Sequence, residues 1–89
     1  MKAVITVVGK DTVGILAKVS AKCAEYNVNI AEVSQTILQG MFCMIMIGEV
    51  DKLNCSFGDF ADGLKDLGDQ LNLKISAMHE DIFNSMHRI

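Results

Sequence analysis

The spacing of apolar positions changes repeatedly along this chain, and each change marks an element. From Lys2 to Val8 the residues alternate, with Ala3, Ile5 and Val7 on one side and Val4, Thr6 and Val8 on the other. Two mostly apolar faces predict an interior strand. Gly9-Lys10-Asp11-Thr12 reads as a polar turn, with Asp11 or Thr12 as the expected helix cap. From Val13 to Tyr26 the period becomes helical, and Ile15, Leu16, Val19, Cys23 and Tyr26 form the apolar stripe. Asn27 and Asn29 close that helix. Alternation returns from Asn29 to Leu38, with Ile30, Glu32, Ser34, Thr36 and Leu38 on one side; the polar run predicts an edge strand. Gln39-Gly40 supplies a hairpin turn, and the nearly all-apolar run Met41 to Val50 is its partner.

A second helix is signalled by Ser56 with Asp59 three residues on, a variant of the capping box. Phe57, Phe60, Leu64, Leu67 and Leu71 form its stripe, and Asp59, Asp62, Asp66 and Asp69 its polar side. Gly63 and Gly68 each cost about 1 kcal/mol of helix propensity, which suggests a need for close packing or a helix that is marginal alone. Leu73, Ile75 and Ala77 alternate with Lys74, Ser76 and Met78 in a last strand. A short polar tail from His79 to Ile89 is expected to end in a helical turn.

The order is therefore βαββαβ. Right-handed crossovers turn it into a ferredoxin-like α+β sandwich, a four-stranded antiparallel sheet ordered 4-1-3-2 with two helices on one face. One domain is expected over residues 1–89, with its core at about 2–79 and a tail at 80–89. The uncovered face is expected to carry Val4, Val8, Met44 and Met46, or their alternates if the register is one residue off. An uncovered apolar sheet face is an association surface.

Composition sharpens this picture. With 89 residues, a hydrophobic share of 51% excludes a disordered chain. So short a chain buries only roughly 60 to 65% of its unfolded surface, so pairing would add stability. A net charge of −3 argues against unspecific grip on nucleic acid. The three cysteines, Cys23, Cys43 and Cys55, form neither a disulfide framework nor a metal knuckle. With no secretion signal legible and no apolar run near the roughly 20 residues of a membrane span, a cytoplasmic, membrane-free protein is expected.

The segment Gly9-Lys10-Asp11-Thr12-Val13-Gly14-Ile15-Leu16-Ala17-Lys18-Val19, followed by Asn27-Val28-Asn29-Ile30, resembles the opening of an ACT domain. The likeness is to the small free-standing ACT proteins of bacteria and archaea, and more distantly to the glycine cleavage transcriptional repressor. It extends over essentially the whole chain. It implies a homodimeric regulatory module that binds an amino acid or related effector where two copies meet and acts on a separate enzyme or transcriptional partner. Carried onto this chain, the implied effector site is Asp11, Thr12, Val13, Gly14, Ile15 and Leu16, with Asn29 and Ile30 opposite them. Asp11 and Asn29 are the implied polar anchors and Gly14 the close backbone approach. At Val13 the chain departs from the proline of many ACT domains, which leaves the turn looser.

The residues themselves leave room for plainer readings. Orphan amides at a helix start attract carboxylates, and Asp11 is available for an ammonium; equally, Asp11 caps the helix and Gly14 lets it sit close. The spacing around Gly9 and Gly14 does not match a phosphate loop. Glu32, Ser34 and Thr36 read as a polar rim. His79 with Glu80 and Asp81 lacks a further ligand at metal spacing, and His87 with Arg88 reads as surface. Cys23 and Cys43 are placed as core rather than as nucleophiles, and the acidic helix face as solvated surface. No catalytic residue, metal or cofactor is expected. The competing functional reading is a non-catalytic interaction or dimerisation module with no bound effector. Fold cannot decide between them.

Overall fold

The computed structural model describes residues 1–86. The elements follow in the order β1 (Lys2–Lys10), α1 (Ile15–Glu25), β2 (Asn29–Leu38), β3 (Met41–Glu49), α2 (Phe57–Leu71), β4 (Leu73–His79) and α3 (Glu80–Met86). The sheet runs β2-β3-β1-β4, and every neighbouring pair is antiparallel. This is the expected ferredoxin-like α+β topology with one addition. The tail is organised as α3, which starts directly after β4 and packs on β1 and β4. The reading of His87 and Arg88 lies outside the described residues.

The core forms between α1, α2 and one face of the sheet. Ala3, Ile5 and Val7 of β1 meet Ile15, Val19 and Cys23 of α1 and Phe60 and Leu64 of α2 there. Phe60 and Leu64 are completely buried. Truncating such a side chain typically costs about 2–5 kcal/mol. Ser56 caps α2 as expected, its Oγ accepting from the Asp59 amide at 3.1 Å. Tyr26 packs edge-on against Phe60, with ring centroids 5.5 Å apart at 75°. A side chain at Gly63 would run into the Tyr26 ring. The glycine therefore serves helix packing, and its propensity cost is offset by the approach it permits.

Three local expectations are corrected. Met44 and Met46 point into the core, and the face away from α1 and α2 carries Cys43, Ile45 and Ile47 beside Val8, Thr6 and Val4. A strand that is apolar on both sides offers no alternation by which to tell its faces. Secondly, Ile30 does not share a side with Glu32, Ser34, Thr36 and Leu38. The ladder steps from Ile30–Gly48 to Glu32–Ile47, so Ala31 forms a bulge and Ile30 packs on the core. Finally, α1 begins at Ile15 rather than Val13, and Leu16 is 40% exposed rather than part of the buried stripe.

The hairpin turn has Gln39 and Gly40 at φ 52° and 80°. Beyond it the helices leave β2 largely uncovered: Ile30 is half-buried, and every other residue of this strand is exposed. Among the described residues, no helix is long and apolar enough to cross a membrane.

Candidate functional site

β1 delivers the chain to residues 11–14 at the end of the sheet where the β2–β3 hairpin turns. There the Asp11 amide donates to the Gly40 carbonyl at 3.0 Å, which fastens the segment to the hairpin. The helix that follows starts in an unexpected way. Its N-cap is Gly14, in the left-handed region at φ 87° and ψ 11°, and no side chain caps it. Neither Asp11 nor Thr12 fills the capping role expected of them. A glycine takes up this backbone without steric penalty, and it leaves the first amides of α1 without a side-chain acceptor. The Lys18 amide closes the first turn on the Gly14 carbonyl at 3.0 Å. The first turn holds no acidic residue to offset the positive end of the helix dipole.

The structure brings Asp11, Thr12, Val13, Gly14, Ile15 and Leu16 together on this corner. Asp11 and Thr12 are exposed, and Val13 is 96% exposed. Ile15 is buried in the core, so only its backbone is available to a ligand. A further residue joins them that sequence reading missed. The Lys18 side chain passes Gly14, its Cε 3.8 Å from the place a Cβ would occupy there. The signal was present in the spacing, since residues four apart stack on one helix face. The corner thus offers free helix amides, an ammonium and a carboxylate within a few residues, a set that fits the two charged groups of a zwitterion.

Asn29 and Ile30 are elsewhere. Within one chain they lie at the far end of the sheet, level with Glu49 and Gly48, whereas the turn is level with Met41. β3 has nine residues, which at about 3.3 Å each place the two ends about 26 Å apart. Asn29 donates to the Glu49 carboxylate at 2.9 Å. It lines a cleft of about 280 Å³ with Asn27, Glu49, Asp51 and Lys52.

A larger cleft, of about 410 Å³, is lined by Met1, Lys2, His79, Glu80, Asp81 and Ile82. The His79 ring stacks on Phe57 with centroids 4.1 Å apart, and its buried Nδ1 has no hydrogen-bond partner. Among the described residues, no three His, Cys, Asp or Glu side chains are grouped to hold a metal ion. All three cysteines are free thiols. Burial pushes the Cys23 thiol up to about 11, which opposes thiolate formation. The Cys55 thiol donates to the Ser56 carbonyl at 3.3 Å.

The sequence and the fold both have known counterparts. The family model described as the ACT domain matches residues 2–78. A UPF0237 protein of Bifidobacterium longum is 47% identical over 88 residues, covering 99% of this chain and 98% of its own length. The solved ACT domain protein from Streptococcus pneumoniae superposes with a TM-score of 0.82 at 42% identity, over 93% of each chain. A candidate glycine cleavage system transcriptional repressor shares the fold, with a TM-score of 0.72 at 24% identity, over 86% of this chain and 44% of its own. With the strand order and the glycine-capped turn, these matches establish that the chain belongs to the ACT-domain family.

Proposed function

We propose that this chain is a non-catalytic regulatory module that binds an amino acid at the corner formed by Asp11 to Leu16 and Lys18. The observation that carries this reading is the start of α1: a left-handed Gly14 with no capping side chain and Lys18 lying against it. The α-carboxylate of the ligand receives hydrogen bonds from the first amides of α1 and the charge of Lys18, as anions do at helix starts. The α-ammonium faces the Asp11 carboxylate. Val13 and Leu16, both exposed, are placed to meet an apolar side chain.

In this reading the whole chain, residues 1–89, acts as one unit in the cytoplasm. It works as a homodimer, reports effector level to a separate enzyme or transcriptional partner, and needs neither metal nor cofactor. Membership of the ACT family and the likeness to a candidate transcriptional repressor support a regulatory role. The competing reading, an interaction module without effector, draws on the length of uncovered strand at β2.

Calorimetric titration with each free amino acid tests the proposal. One or a few ligands are expected to bind saturably, with binding lost in Asp11→Ala and weakened in Lys18→Ala. Titrations flat for every amino acid would leave the interaction module as the better account.

A further inference from the structure

At the outer edge of the sheet, β4 pairs with β1 on one side alone, and α2 lies directly against it. A Cβ on Gly68 would come within 2.7 Å of the Leu73 carbonyl oxygen, so the bare glycine is what lets helix and edge strand meet. On the free side of β4, alternate N–H and C=O groups point outward with no partner strand. A groove of about 400 Å³ runs along this edge, lined by Lys65 and Asp69 of α2 and by Leu73, Lys74, Ile75 and Ser76 of β4. Leu73 and Ile75 are buried on the helix side of the strand, and Lys74 and Ser76 stand on the other. The groove therefore wraps the rim of β4 from the helix layer to the far face, which is the space a further strand would take.

Three charges stand along it. Lys65, Asp69 and Lys74 are exposed, and among the described residues none of them has an ion-pair partner. Lys65 precedes Asp69 by one turn, the less favourable order for a pair on one helix. The left-handed Asn72 reverses the chain between α2 and β4, so the two elements run in opposite directions. Gly68 stands between Leu73 and Ile75, which puts Asp69 near the level of Leu73 and Lys65 near that of Ile75. Four helical residues advance about 6 Å and two strand residues about 6.8 Å, so the spacings agree.

We infer that this edge receives an extended segment of a partner protein, added antiparallel to β4, with acidic, acidic and basic residues in consecutive positions. The residue opposite Ile75 turns toward α2 and brings a carboxylate to Lys65. The next, opposite Lys74, turns to the far face and sets its carboxylate against the Lys74 ammonium. The third, opposite Leu73, turns toward α2 again and brings an ammonium or guanidinium to Asp69. Main-chain hydrogen bonds to the outward groups of β4 attach the segment, and the three charges select it. Among the described residues, α2 and β4 carry no exposed large hydrophobic, so backbone and charge carry the contact. A lysine on an edge strand discourages unselective pairing, and a carboxylate opposite it turns that repulsion into attraction. No acidic-acidic-basic triplet occurs among the 89 residues of this chain, so a second copy does not supply the segment. The inference rests on the reading that the module acts on a separate protein, and it names the surface for that contact without involving the Asp11 to Leu16 corner.

Two synthetic peptides test it on the full chain with no amino acid present. One has the order Thr-Val-Glu-Glu-Lys-Val-Thr and the other its charge reversal, Thr-Val-Lys-Lys-Glu-Val-Thr, both capped at their ends and fluorescently labelled. Anisotropy titration is expected to favour the first by about tenfold. The charge-inverted chain Lys65→Glu/Asp69→Lys/Lys74→Glu is expected to favour the second, a reversal that a loss of folding cannot produce. Amide exchange is expected to slow along β4, and not along β2, when the first peptide is bound to the native chain. Equal binding of the two peptides, no saturable binding of either at millimolar concentration, an unreversed preference in the inverted chain, or protection on β2 would overturn the inference. Selective peptide binding with flat amino-acid titrations would retain this surface and remove the effector reading; amino-acid binding without peptide selection would do the reverse.

Discussion

The Asp11 amide donates to the Gly40 carbonyl at 3.0 Å, so the turn that leads into α1 is tied to the tip of the β2–β3 hairpin. The corner is therefore held by two elements remote from each other in sequence. Its amides are free because Gly14, rather than a polar side chain, stands at the helix start.

Gly14 at φ 87° makes this position sensitive to any side chain. Gly14→Ala is expected to lose about 1–2 kcal/mol from the left-handed backbone alone, roughly 5 to 15 °C in melting temperature. Gly14→Asn should lose less, since Asn tolerates this region. Thermal melts of the two variants check the order; equal melting temperatures for Ala, Asn and Gly would show that the turn relaxes freely.

Gly63 tests the packing of the helices. On propensity alone Gly63→Ala would stabilise α2 by about 1 kcal/mol. The Tyr26 ring occupies the space a Cβ needs, so a net loss of about 1–3 kcal/mol is expected. In a double-mutant cycle with Tyr26→Ala, most of the Gly63→Ala penalty should disappear. Urea unfolding of the four proteins measures both effects.

Cys23 predicts an alkaline dependence of stability. Its thiol titrates near 9.0 by default and near 11 in the fold, because burial disfavours the thiolate. Above pH 9 the unfolded chain has released a proton that the folded chain retains, so stability falls as pH rises from about 9 towards 11. The contribution is fully present below pH 9, and the loss is on the order of 2–3 kcal/mol. Cys23→Ala should be less stable at neutral pH and should lack this component. Denaturant midpoints across the pH range make the comparison, and parallel profiles for the two proteins would contradict it.

Much of the fold was legible because period-two and period-3.6 patterns alternate cleanly from Lys2 to His79, and Ser56 with Asp59 marked α2 correctly. The losses have local physical causes. Met41 to Val50 is apolar on both sides, so nothing in its own residues says that Met44 and Met46 face the helices. The bulge at Ala31 reverses the side on which Ile30 falls, and no residue there announces it. At the candidate site the segment itself was legible, but side-chain caps were expected of Asp11 and Thr12 where a glycine does the work. Lys18 stands off the apolar stripe of α1, where a lysine is normally solvated, so the pattern alone gave it no place in the site.

The most direct test of the amino-acid site is amide chemical-shift mapping of the labelled protein during titration with free amino acids. The account predicts that a binding amino acid shifts the amides of Gly14, Ile15, Leu16 and Ala17 first, with the Asn29 and Ile30 amides moving at the same ligand concentrations. Shifts confined to residues around His79 and Lys2, or none for any amino acid, would contradict it.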